Sequence, residues 1–101
     1  MFPRHKFKNI ITEADGWKFM SKKEAKFYGE LKLKQAAGEV LFFLRQVPIH
    51  LVGGVRYVVD FLVFYGSGDC KFIDVKGMKT AMYIVKKKLV EAQYPITIEE
   101  V

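Results

Sequence analysis

One cysteine, two histidines and three prolines leave this 101-residue chain with few of the usual routes to chemistry. A lone Cys70 excludes an intramolecular disulfide and a cysteine-based zinc site, and it fits a reducing compartment best. His5 and His50 lie far apart, so there is no HExxH-type metal pair and no histidine-centred nuclease motif. His50 reads more simply as the flank of a strand. No apolar run approaches the roughly 18 to 20 residues that span a bilayer, and the start Met1-Phe2-Pro3-Arg4-His5-Lys6 lacks an apolar signal core. A soluble protein of the cytoplasm with no membrane partner is expected. Repeats, low-complexity segments and interior linkers are also missing, and the length suits one domain.

What is present is cationic and apolar. The formal net charge is +6, from seventeen Lys and Arg against eleven Asp and Glu, which favours polyanionic partners. Half the residues are hydrophobic and 15% are aromatic, a large apolar load for so small a body, so a homo-oligomer or a broad binding face is expected.

Residues 1–9 form a basic arm carrying Arg4, Lys6 and Lys8, either a frayed terminus or a segment that lies along a phosphate backbone. Between Ile10 and Phe19 the dipeptide Asp15-Gly16 signals a small β-hairpin. Ser21 and Glu24 then make a capping box, and Gly38 supplies the stop of a helix over 22–37. Phe27, Tyr28 and Leu31 build its apolar side and share it with Glu24, while Lys22, Lys23, Lys26, Lys32 and Lys34 point mostly to solvent. Helix termination alone would explain Glu24; its inward lean leaves a functional role open.

Val40 to Val47 reads as a strand buried on both faces, broken by the hydrogen-bonding pair Arg45-Gln46. Gly53-Gly54 turns the chain into a second strand through Asp60, and Gly66-Ser67-Gly68 turns it into a third through Asp74 and Lys76. If those three residues form the loop, Tyr65 faces Asp69 and Asp60 lies directly opposite Asp74, with Lys76 projecting from the face of Asp74. Facing carboxylates destabilise a sheet unless something positive sits between them, and a hard divalent cation would serve. The alternative is an edge hairpin whose charges point to water, its pairing slipped by one residue.

Gly77 ends the third strand, and Thr80 opens a second helix running to about Gln93. Its core stripe is predicted as Met82, Val85, Leu89 and Ala92, flanked by Lys88, with Lys86 and Lys87 outward. Ile96 to Glu99 forms a last strand, parallel to the third through a right-handed crossover. The expected fold class is α/β: a mixed four-stranded sheet flanked by two helices, with a small N-terminal hairpin.

A helix with an inward Glu, a meander bearing Asp60 and then Asp74-Val75-Lys76, and a second helix carrying lysines together resemble the PD-(D/E)XK nuclease superfamily. The likeness is to its small phage-encoded, Holliday-junction-resolvase-like members, with a restriction-endonuclease-like core. It rests on Ser21 to Ala25, Arg45-Gln46, Val59-Asp60-Phe61, Asp74 to Gly77 and Thr80 with the downstream lysines, from about Asp15 to the C-terminus. The Asp-x-Lys core is degenerate by itself; the order and placement of all the pieces carry the resemblance. Val59 stands where the name-giving motif has Pro, and Asp74 where Glu is an option; neither removes a ligand.

The resemblance implies a Mg²⁺-dependent endonuclease acting on DNA, branched DNA included, with Mn²⁺ able to substitute. Asp60, Asp74 and the Val75 carbonyl would be metal ligands, Lys76 would contact the attacked phosphate or the attacking water, and Glu24 would hold metal-bound water or a second ion. Gln46 and Lys88 would be accessory groups. Lys22, Lys23, Lys79, Lys86 and Lys87 would join the basic arm against DNA, and a homodimer would supply two sites for two strands. Missing histidine and cysteine near the acidic pair argue for Mg²⁺ over zinc. Two other readings compete: a non-catalytic basic nucleic-acid-binding module, and a structural or assembly protein of a phage particle.

Overall fold

In the computed structural model, residues 12–77 and 79–101 are described. The basic arm, and with it Arg4, Lys6 and Lys8, lies outside the described residues.

The chain opens with the hairpin of β1 (Thr12–Ala14) and β2 (Trp17–Phe19). Asp15 and Gly16 both adopt positive φ, 52° and 79°, the twist a two-residue hairpin turn needs. Helix α1 (Lys22–Ala36) follows, with the Glu24 amide donating to Ser21 Oγ at 3.1 Å. At its other end Gly38, at φ 85°, lets the Gly38 amide reach the Gln35 carbonyl and the Glu39 amide that of Lys34, so the last carbonyls of α1 are satisfied. The Tyr28 hydroxyl donates to Asp15 Oδ2 at 3.0 Å and ties the hairpin to the helix.

The main sheet is a meander of β3 (Val40–His50), β4 (Arg56–Tyr65) and β5 (Cys70–Asp74), closed by α2 (Ala81–Gln93) and β6 (Ile98–Glu100). Strand order is β3-β4-β5-β6, antiparallel except for β6, which runs parallel to β5. The expected α/β class holds. The Tyr65 amide donates to the Asp69 carbonyl at 2.9 Å, and Phe61 pairs with Ile73, so the three-residue loop and its register are those read from the glycines.

The two helices serve separate cores. Phe19, Tyr28, Leu31, Phe61, Val63 and Ile73 pack together under α1, whereas Tyr57, Val59, Tyr83, Val90 and Ile98 pack under α2 with Phe72 against them. Because Phe72 and Ile73 are consecutive on β5, the helices take opposite faces of that strand.

Four expectations fail here. Strand β3 is not buried on both faces: Leu41, Phe42 and Leu44 are 59%, 45% and 48% exposed. It is the edge of the sheet, and its apolar run is covered on one side only. Helix α2 is also turned from its predicted orientation. Met82, Val85, Leu89 and Ala92 are exposed, and Tyr83 and Val90 are the residues it buries. Lys86 and Lys87, expected outward, are half-buried: Lys86 Nζ donates to the Arg56 carbonyl at 3.5 Å and Lys87 meets Glu100 at 3.4 Å. The Tyr83 hydroxyl donates to Glu100 at 2.6 Å, and that bond to β6 anchors the helix on its polar-flanked side. The final strand begins at Ile98, two residues later than expected.

Candidate active site

At the end of β4 and β5 away from their loop, side chains replace the backbone ladder. The Asp60 amide donates to Asp74 Oδ1 and the Val75 amide donates to Asp60 Oδ2, both at 2.9 Å. Each aspartate thus gives one oxygen to hold the strands together and keeps the other. Asp74 is wholly buried, and its Oδ2 has no hydrogen-bond partner. Lys76 Nζ stands 4.0 Å from that oxygen, too far for a hydrogen bond, and 4.4 Å from the centre of the Tyr83 ring.

Glu24 enters from the first turn of α1. It is buried, Oε1 accepting from the Met20 amide at 3.4 Å and Oε2 from Gln46 Nε2 at 3.1 Å. Gln46 is brought there by an unusual backbone: φ is 53° at this position, between the regular pairs Arg45–Phe61 and Val47–Val59. Strict alternation would send its side chain elsewhere; the left-handed residue re-aims it toward α1.

Burial and like charge act together on the carboxyls. Burial pushes the pKa of Glu24 up, the Asp60 carboxylate pushes it further, and the Met20 amide, Arg45 and Lys76 oppose them. Asp74 is also raised, by burial foremost and by Glu100, against the Asp60 amide, Lys76 and Lys87. Glu100 moves the other way, to about 2, held down by its bond from Lys79 and by the Tyr83 hydroxyl. The Tyr83 phenol is raised by burial and by its bond to Glu100.

Two bonded sets result, Asp60 and Asp74 beside Lys76, and Glu24 with Gln46, and the charges of Asp60 and Lys76 act on Glu24 between them. Val75, whose carbonyl the resemblance adds as a ligand, is tied to the first set through its amide. Lys88 is exposed, and its neighbour Lys87 is the lysine whose charge reaches Asp74. Lys23 Nζ donates to the Lys76 carbonyl at 2.9 Å, bracing the lysine from α1. Lys79 is engaged with Glu100 at 2.7 Å, and Lys22 is exposed. Glu100 and Tyr83 are additions to the expected site, while Lys87 is expected only against DNA and Arg45 only as part of the resemblance. The parallel register, Asp74 beside Glu100, is the signal that would have found the first of them.

Among the described residues no three acidic, histidine or cysteine side chains gather closely enough to form a ready metal cluster. Glu24 is not drawn in with the two aspartates, since both its oxygens are held by Met20 and Gln46. The donors that remain do fit a hard cation: a buried oxygen of Asp74 with no proton donor, the oxygen of Asp60 outside the ladder, and hard ligand chemistry at both.

The fold and site define an α/β domain whose mixed sheet is opened at one end by facing carboxylates beside a lysine. The chain belongs to the family described as Protein of unknown function (DUF1064), whose model matches residues 4–99. No curated protein matches it.

Proposed function

We propose that this protein is a Mg²⁺-dependent endonuclease that hydrolyses DNA phosphodiester bonds, on branched DNA among its substrates. The observation that carries the reading is the exchange between Asp60 and Asp74, which leaves a buried, unpartnered carboxylate oxygen next to Lys76. A carboxylate in that position costs stability unless a cation answers it.

Asp60 and Asp74 would hold the ion through the oxygens that the ladder does not use, with Mn²⁺ able to replace Mg²⁺. Once bound, it supplies charge neutralisation at the phosphate and a more acidic water. Lys76 adds a point charge against a non-bridging phosphate oxygen, and the Lys23 bond to its carbonyl restrains the backbone that carries it. Glu24, fixed by Met20 and Gln46, orients water, and its raised proton affinity suits it to receive that water's proton. A homodimer, one cut per copy, and a cytoplasmic setting belong to the same proposal; sedimentation equilibrium tests the first. None of the described helices is long and apolar enough to cross a membrane.

The test is cleavage of labelled four-way-junction, flap and linear duplex DNA by the protein and by Asp74→Asn, with Mg²⁺, Mn²⁺ or EDTA. Metal-dependent cutting that the variant loses supports the proposal; equal cutting by the variant sinks it. A second reading, a non-catalytic nucleic-acid-binding module, draws on the fact that both aspartates already have structural work as acceptors of the Asp60 and Val75 amides. It predicts salt-sensitive DNA binding with no Mg²⁺ or Mn²⁺ bound by calorimetry.

A further inference from the structure

A hollow of about 490 Å³ runs along the free edge of β3, between that strand, α1 and the hairpin. Its size falls in the range of small-ligand sites, roughly 300–1,000 Å³. Two aromatic side chains in its wall are open to solvent, Trp17 at 54% and Phe42 at 45%. Phe42 is braced by a stack on Phe64, centroids 4.3 Å apart and planes 16° from parallel.

The charges in the wall are of one sign. Lys32 and Arg45 line the hollow and no carboxylate does. Arg45 makes no ion pair among the described residues, and its buried Nε has no hydrogen-bond partner. Its Nη2 donates to the Lys18 carbonyl at 3.5 Å, and its guanidinium lies 4.2 Å from the centre of the Phe19 ring and 5.3 Å from that of Trp17. Gln46 lines the same hollow and donates to Glu24, so the groove and the carboxylate network share a wall.

Open aromatic faces beside unpaired cations match a nucleic-acid strand whose bases are not paired. Strand addition by a second copy suits this edge poorly. The Gln35 amide already occupies the Leu41 carbonyl, Gln46 interrupts the regular backbone at φ 53°, and Pro48 lacks a donor.

We infer that this groove seats unpaired nucleotides, one base against Trp17 with its phosphate by Arg45 on the α1 side of β3 and a neighbouring base against Phe42 across the strand's edge, with the nucleic-acid strand continuing past Gln46 to the carboxylates. The substrate class is then DNA with a single-stranded segment adjoining the cut, a role that rests on the nuclease reading above.

Trp17 is the chain's one tryptophan, so its fluorescence reports on the groove directly. The experiment titrates the full chain, in EDTA, with oligothymidine, a blunt duplex of equal length, an abasic oligomer and an acidic peptide. Trp17 quenching and anisotropy are followed together. The inference expects saturable quenching by oligothymidine, affinity at least about tenfold weaker for the duplex, and no quenching by the abasic oligomer. Phe42→Leu, which keeps apolar bulk and removes the stacking face, should weaken oligothymidine about tenfold, the scale of one base stacked on an aromatic ring. Phe42→Ala repeats the measurement if the leucine variant melts early. Equal quenching by single strand and duplex, or by the acidic peptide, overturns the inference. So does the absence of quenching by oligothymidine, or quenching that follows protein concentration alone. Metal-dependent cutting without quenching removes the groove and leaves the nuclease; quenching without cutting in any metal does the reverse.

Discussion

The two ends of the β4–β5 ribbon are built from the same two strands and held by different groups. From Phe61–Ile73 to Phe64–Cys70 backbone bonds backbone, and the Gly66-Ser67-Gly68 loop closes that end. One residue further, at Asp60 and Asp74, each strand's amide is answered by the other strand's carboxylate. Backbone pairing consumes every polar group it touches. Carboxylate pairing uses one oxygen of two, so a sheet can stay joined and still present free anionic oxygens in its interior. The free carboxylate oxygens at the open end are the by-product of how the ladder is completed there.

The largest expected difference between the ends is in cleavage. Asp60→Asn and Asp74→Asn should each lower the cutting rate by roughly 10²–10³-fold or more, the scale of losing one preorganised electrostatic group, while Cys70→Ala at the closed end leaves it within about twofold. Gel assays on junction DNA check this. Stability should separate the variants in another way. Asparagine at 74 keeps an acceptor for the Asp60 amide and leucine does not, so Asp74→Leu should be less stable than Asp74→Asn by about 1–3 kcal/mol in urea unfolding. Amide exchange at Asp60 should quicken in the leucine variant only.

Gln46→Ala removes one hydrogen bond to a carboxylate, an effect of about 1.4 kcal/mol, and should lower kcat about tenfold with little change in KM. An unchanged kcat would make Gln46 a bystander. The smallest effect is on pH dependence. Burial raises Asp74, so the folded state binds that proton more tightly than the unfolded chain. The wild-type protein therefore loses stability as pH rises from the ordinary value of 3.8 through the raised one, and Asp74→Asn escapes that loss. Its Tm should exceed the wild type's at pH 7 and converge with it below 3.8. Glu100, lowered to about 2, acts in the opposite sense: its contribution is present above 4.5 and lost as pH falls through 2. That loss is common to both proteins and cancels in the difference. Under the proposal, added Mg²⁺ narrows the gap at pH 7 by stabilising the wild type alone.

Helix α1 and the carboxylate pair were legible because their signals are local. Ser21, Glu24 and Gly38 act within a few residues of themselves, and a three-residue loop sets the register that brings Asp60 opposite Asp74. Helix α2 was misread for a different reason. Apolar residues occur on two of its stripes, Met82-Val85-Leu89 and Tyr83-Val90, and periodicity cannot rank them. Gln46 is an accessory group by the resemblance alone, and its reach to Glu24 depends on a φ that no residue type announces.

The sequence by itself determined the elements, their caps and turns, the meander with its parallel closing strand, and the meeting of Asp60, Asp74 and Lys76, since each follows from neighbours or from a short loop. Only the tertiary structure decided that α2 buries Tyr83 and Val90, that β3 shows one apolar face to solvent, that Lys87 and not Lys88 acts on Asp74, and that Arg45, with no ion pair among the described residues, stands beside an aromatic groove. Those outcomes depend on which distant surface each side chain meets, and a choice between two apolar stripes or two adjacent lysines is made by the partner.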